Sequence, residues 1–223
     1  MAYRFQPNSY GRSAAAVLPA QTLLGQVLGI TAIGMCVSAL AVYLFQDRVG
    51  SGAGLIAMLV GFGLLFGING TRANPGLSLM LFYAFAFAEG IGITPIVSLY
   101  LHVAPQAVYN AALTTGLGMF ALGAVVYATG LDLRRFQGIL TLALLALIVV
   151  GVVSMFFRLV SPTMYSWLTL VIFSGFTLID FARIRAGGDG LTPVQMATHI
   201  YLDLINIFIA LLQIFGNQSR RND

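Results

Sequence analysis

Long apolar runs separated by short polar turns fill this chain between residue 20 and residue 215. A helix that crosses a bilayer needs about 20 apolar residues, and the pattern predicts seven such helices. The first covers 20–45 and ends at Gln46-Asp47-Arg48, and the second covers 53–68 and closes at Asn69-Gly70-Thr71-Arg72. Asn74-Pro75-Gly76 separates the second from a third over 77–100, and Pro105 precedes a fourth over 108–129. A charged turn at 130–135 leads to a fifth over 136–157, Ser161-Pro162 opens a sixth to 183, and Thr192-Pro193 opens a seventh over 193–215. Serine or threonine before proline is an N-cap followed by a residue suited to the first helical position, which fixes the last two starts. A last segment that re-enters the membrane, leaving an even number of spans, is the alternative.

The last helix is patterned differently from the others. At 100° per residue, Thr192, Gln195, His199, Asp203, Asn206, Ala210, Gln213 and Asn217 fall within an arc of about 80°. A polar stripe along a whole membrane helix must face protein or water, so the pattern places this helix centrally, with others around it. The sixth segment answers with Ser174, Thr177 and Asp180. Asp203 lies roughly 15 Å along the axis from Pro193, and Asp180 about one turn before Arg183, so both carboxylates belong to the same half of the bilayer, at somewhat different depths. Two acids close together in a low-dielectric site share a proton and titrate as a unit.

Composition supports a bilayer setting. Of 223 residues, 59% are hydrophobic and 8% charged, with mean hydropathy +0.92, where a soluble domain carries about a quarter charged residues. The net charge of +4 comes from eleven arginines and no lysine. They cluster at segment ends, which points to membrane orientation and away from nucleic acid. With the N-terminus inside, Arg4, Arg12, Arg72, Arg134, Arg135, Arg183 and Arg185 lie on the inner side, against Arg48, Arg158, Arg220 and Arg221 on the outer. The expected layout is an N-terminal tail over 1–18, one seven-helix domain over 19–217 and a short tail over 218–223. Lack of lysine excludes a retinal Schiff base, and a single cysteine, Cys36, excludes an intrachain disulfide. Two distant histidines make a poor zinc set, so no cofactor is expected.

Other residues stand out less sharply. Glu89, in the middle of the third segment, either lines an aqueous path with the aspartates or bonds to another helix. His199, one turn from Asp203, either tunes it or makes a plain polar contact, and Asn206 continues the same stripe. Arg72 arrives at the same membrane face and is a candidate counter-charge. Gly25-x-x-x-Gly29 and Gly63-x-x-x-Gly67 read as helix-packing signals.

Phe173-Ser-Gly-Phe-Thr-Leu-Ile-Asp180 with Arg183-Ile184, and His199-Ile-Tyr-Leu-Asp203-Leu-Ile-Asn206 with Leu211-Leu212, resemble the Bax inhibitor motif family. Tyr83-Ala-Phe85-Ala-Phe87-Ala-Glu89-Gly90-Ile91, followed by Pro95-Ile96, is similar to its third-helix pattern. The resemblance covers nearly all the membrane region and is specific in the last two helices. It implies an all-α bundle of seven transmembrane helices, the last enclosed by the other six. It also implies a pH-sensitive calcium leak with Asp180 and Asp203 as proton sensor and as the acids met by calcium, and Arg72 as their counter-charge. Some members carry an acid within the second helix, whereas 53–68 here has none.

The leading expectation is therefore a membrane protein, in a bacterial inner membrane with its N-terminus cytoplasmic, that leaks calcium under control of protons. An intramembrane aspartyl protease also needs one aspartate on each of two adjacent helices, but Tyr201-Leu202 stands where that class has Gly-x-Gly. A proton-coupled transporter would use Glu89 and the aspartates as a relay.

Overall fold

A computed structural model describes residues 20–157 and 159–222. The N-terminal tail with Arg4 and Arg12, residue Arg158, and the side chains of Arg220 and Arg221 lie outside that description. The described chain is helical: α1 (Ala20–Phe45), α2 (Ser51–Gly70), α3 (Pro75–Val103), α4 (Pro105–Thr129), a single 3-10 turn (Arg134–Phe136), α5 (Gln137–Phe157), α6 (Pro162–Arg185) and α7 (Pro193–Asn222). Among the described residues, seven helices are long and apolar enough to cross a membrane.

Helix starts follow local chemistry. Four helices open on proline, at Pro75, Pro105, Pro162 and Pro193, where the missing N–H costs nothing. The Asn74 side chain accepts from Leu77 N–H and that of Ser161 from Met164 N–H, both at 3.2 Å. α7 begins with a reciprocal cap: Gln195 N–H donates to Thr192 Oγ1 at 3.2 Å, and Thr192 N–H to Gln195 Oε1 at 3.0 Å. α6 ends in a left-handed turn in which Gly188 N–H bonds Arg183 O at 2.8 Å and Gly187 N–H bonds Ile184 O at 3.1 Å. The backbone stays at positive φ from Gly187 to Gly190, and Asp189 adopts φ 50° among those glycines.

α7 corrects two expectations. It continues to Asn222, because nothing after Gly216 breaks it, so 218–222 is not a separate tail. Its 30 residues run without interruption, which rules out a re-entrant last segment. Among the described residues α7 packs backbone to backbone against α1, α2, α3, α4 and α6, whereas α5 comes that close only to α6 and the 3-10 turn. Five helices thus pack directly on α7, and α5 faces it across a cavity lined by Leu144, Leu147 and Ile148 of α5 and by Leu202 and Asn206 of α7. Between Thr141 and Ser154 α5 carries no polar residue, so it can lie outermost and meet lipid.

Of the four glycines that the spacing suggested, only Gly67 packs closely, with Leu81 Cδ1 of α3 3.2 Å from a Cβ built there. Nothing lies within 4 Å of a Cβ built at Gly25, Gly29 or Gly63, because these positions point away from their neighbours. Other tight approaches include Gly54 and Gly61 on α2 against α3, and Gly90 on α3 against α1. A Cβ at Gly90 would stand 2.6 Å from Ser38 O and 2.8 Å from Ala41 Cβ. Those obstacles are backbone and a methyl group, neither of which can swing aside. Gly90→Ala is expected to destabilise the bundle by about 1–3 kcal/mol, while Gly25→Ala leaves it unchanged or slightly firmer. Thermal unfolding of both variants in detergent checks the contrast.

Candidate functional site

α6 and α7 are antiparallel neighbours joined by a seven-residue turn, 186–192. Polar side chains pair across them along nearly their whole length. Asn217 Nδ2 donates to Thr163 Oγ1 at 3.3 Å, and Ser166 Oγ to Gln213 Oε1 at 2.8 Å. Thr177 Oγ1 donates to Asp203 Oδ2 at 3.1 Å, and His199 Nδ1 lies 3.6 Å from Asp180 Oδ1. The residue number falls on α6 by almost the same step as it rises on α7, so one register holds throughout. The polar stripe on α7 thus faces a matching line on α6, as hydrocarbon requires.

That register places the two acids about one helical turn apart, roughly 5 Å along the axis. Both are buried, at 3% exposure for Asp180 and 4% for Asp203, and they are electrostatic neighbours. Their surroundings differ. Asp180 Oδ1 accepts from Arg183 Nη1 at 2.9 Å, an ion pair within one turn of helix. Asp203 receives the Thr177 hydroxyl, which also lies 2.9 Å from Phe173 O and 3.5 Å from Met119 Sδ.

The counter-charge is Arg183, not Arg72. Arg72 is exposed at the end of α2 and forms no ion pair among the described residues, because the chain turns away there toward Asn74. Arg183 belongs to a longer string. Its Nη2 also donates to Gln137 Oε1, and its Nε lies 4.0 Å from Asp189 Oδ2. Asp189 in turn pairs with Arg134 at 2.8 Å, and Arg134 with Asp132 at 2.7 Å. Charges therefore alternate from the loops to the buried Asp180. Arg185 points elsewhere: its guanidinium caps the end of α4 through Val126 O, Gly130 O and Leu131 O.

Other sequence-selected residues take different places. Glu89 sits on α3 against α2, its Oε1 3.0 Å from the position of a Cβ at Gly61, and no hydrogen bond joins it to either aspartate among the described residues. Asn206 bonds back to Leu202 O at 2.8 Å and lines a cavity of about 400 Å³ together with Tyr165, Ser166, Thr169 and Gln213. Ser174 makes no hydrogen bond among the described residues. Tyr201, fully buried, was not singled out by its sequence context, yet its hydroxyl meets Ser38 Oγ at 2.6 Å and its ring stands edge-on to Phe82 and Phe85. Gln195 reaches across to α2, donating to Asn69 Oδ1 at 2.9 Å.

With this geometry in view, comparison with known proteins is decisive for kinship. The family model described as "Inhibitor of apoptosis-promoting Bax1" matches residues 20–220. The chain belongs to this Bax inhibitor family. Bacterial relatives include a protein of Borreliella burgdorferi, 28% identical over 93% of this chain and 96% of its own length. Another, from Pseudomonas aeruginosa, is 28% identical over 87% of this chain and 88% of its own. An uncharacterized membrane protein of Streptococcus pyogenes serotype M3 is 29% identical over 91% of this chain and 90% of its own. For this Bax inhibitor family member the matched region takes in every helix of the seam.

Two predictions follow from the charge arrangement. Arg183→Gln leaves a buried carboxylate without its cation and is expected to cost on the order of 3 kcal/mol. Arg72→Gln, at an exposed unpaired site, should stay within about 0.5 kcal/mol; thermal unfolding in detergent compares the two. The loop clip behaves differently. Hydrogen bonds from Arg134 hold the Asp132 carboxyl down at about 2, below its ordinary 3.8. A depressed folded value means the clip's contribution is complete above the ordinary carboxylate range and is lost as pH falls toward that lower value. The difference in melting temperature between wild type and Asp132→Asn should accordingly be constant from about pH 5 to about pH 8 and narrow only in stronger acid.

Proposed function

We propose that this Bax inhibitor family member is a calcium leak whose conductance is set by protonation at Asp203, with Asp180 as its charged neighbour. The observation that carries this reading is the difference between the two acids. Asp180 is matched by Arg183, whereas Asp203 is bonded to a hydroxyl and forms no ion pair among the described residues, so that its charge, when ionised, is open to a passing cation. An acid buried in a membrane bundle without an ion-pair partner marks ion or proton pathways as a class.

The polar line also has somewhere to lead. From the loop end it passes His199 and Asp180 to Thr177 and Asp203, and it continues through Asn206 into the cavity lined by Ser166, Thr169 and Gln213. Phe173 and Leu202 wall that cavity on the side toward the acids, so apolar rings and methyl groups close the path in this state. Calcium takes six to eight oxygen ligands. Two carboxylates and a hydroxyl fall well short, and no cluster of three or more His, Cys, Asp or Glu occurs among the described residues. Such a set suits brief passage of an ion better than storage. Uptake of a proton by Asp203 removes the charge that the ion would meet.

The arginine distribution supports an orientation with the α6–α7 turn on the cytoplasmic side of a bacterial inner membrane. The protease alternative needs two carboxylates facing one another across a shared proton; the one-turn offset and the Arg183 pair weigh against it.

Calcium flux into proteoliposomes tests the proposal. Wild-type flux is expected to change severalfold between about pH 6 and about pH 8, and Asp203→Asn to give a flat profile. No flux at any pH, or an unchanged pH profile in Asp203→Asn, would overturn it.

A further inference from the structure

On the side of α7 away from the cavity at Asn206, α1 and α4 stand apart: their Cα atoms nowhere approach within 8 Å. Each packs on α7 independently, so a furrow runs between them with α7 as its floor. Two cavities, of about 420 and 320 Å³, lie end to end in this furrow and share Met35, Gly116 and Leu204 as walls. One reaches Leu28 and Tyr127 and the other Val42 and Val108. Fourteen residues of α1 separate Leu28 from Val42, so the furrow is roughly 20 Å long. Its lining is almost wholly hydrocarbon, and it holds no acid or base.

We infer that this furrow binds one acyl chain of a diacyl phospholipid, lying along the helices with its headgroup toward the Tyr127 end. Three observations select that occupant. The furrow lies entirely within membrane-spanning helices and opens sideways between two of them, where hydrocarbon is the surrounding solvent. Its length exceeds half of a hydrocarbon core of about 30 Å, enough for one chain of one leaflet. At the Tyr127 end a cation lies close by: Arg185 bonds the carbonyl of Val126, the residue before Tyr127, near where a phosphate would sit. Tyrosine and arginine at helix ends are the usual partners of the headgroup layer.

The furrow also touches the polar seam. Met119 lines it, is 7% exposed, and its Sδ is the atom 3.5 Å from Thr177 Oγ1, the donor to Asp203. A chain seated there presses on the methionine that backs the acid. That consequence rests on the leak proposed above; the binding site itself does not.

Gly116 provides the test, because a Cβ at this position meets nothing within 4 Å. Gly116→Leu should fill the furrow without strain, and Gly118, also open but not a furrow wall, supplies the control as Gly118→Leu. Native mass spectrometry of protein purified in mild detergent reads the bound lipid directly. Wild type and Gly118→Leu are expected to retain one phospholipid, and Gly116→Leu to lose most of it. A wild type that retains none, or a Gly116→Leu protein that retains as much, would refute the site. Wild type in vesicles of phosphatidylglycerol bearing a diazirine in mid-chain gives a reading free of any folding effect. Adducts on Met35, Met119 or Leu204 support the site. Adducts confined to outer faces such as Ile139 and Leu142 of α5 overturn it, as does a footprint showing a second copy of the chain in the furrow. Neither measurement involves calcium, so failure here and failure of the leak are separable.

Discussion

The seam between α6 and α7 depends on a rule of the bilayer: polar groups in hydrocarbon must be satisfied by the protein itself. Each polar residue that the last helix carries therefore constrains what its neighbour presents. The pairs Thr163–Asn217, Ser166–Gln213, Thr177–Asp203 and Asp180–His199 all obey one antiparallel register. A slip by one residue would turn each partner about 100° away and leave several polar groups unpaired at once. The short turn helps to hold that register, since its run of left-handed residues needs the glycines at 187, 188 and 190.

The other side of α7 is held by different means. Ser38 and Tyr201 join α1 to α7, with Ala86 O accepting from Ser38 at 2.8 Å, and the Tyr201 ring is gripped by Phe82 and Phe85. Thr31 Oγ1 reaches Ala197 O at 3.3 Å. These contacts are few, short-range and buried, so they anchor α7 at points and leave the space between α1 and α4 unfilled. A lipid furrow on one side and a polar seam on the other can then share a single helix, with Met119 and Thr177 as the place where the two meet.

Much of this was legible in the sequence because membrane helices announce themselves by length and by proline or Ser/Thr/Asn starts. The seven spans, the capped start at Thr192 and the polar stripe needed only periodicity. The counter-charge was readable too, since Arg183 lies one turn from Asp180, but an arginine that ends a helix looks like an orientation signal until its neighbours are known. Asp189 was not readable: its carboxylate reaches Arg134 and Arg183 only because the loop runs at positive φ, which no residue pattern specified. Nor could spacing tell which glycines pack. Gly25 and Gly29 have the motif and face open space, while Gly61 meets Glu89 without one.

The one-turn offset is the feature that makes the acids unequal. Level with each other, the two carboxylates would compete for one proton and one cation on the same terms. Staggered, they are sorted by depth: the shallower, Asp180, lies within reach of Arg183 and, through it, of Asp189 and Arg134. The deeper, Asp203, makes no ion pair with that string and is bonded to the Thr177 hydroxyl. Any change that draws Arg183 outward toward Asp189 would therefore add negative charge next to Asp203 without touching it. Coulomb interaction between charges a turn apart in a medium of low polarity is strong enough for that to matter, since about 3 kcal/mol separates such neighbours even at an effective dielectric constant of 20. The loop carboxylates thus bear on the membrane interior through one guanidinium, and Asp203 is the group on which their influence converges.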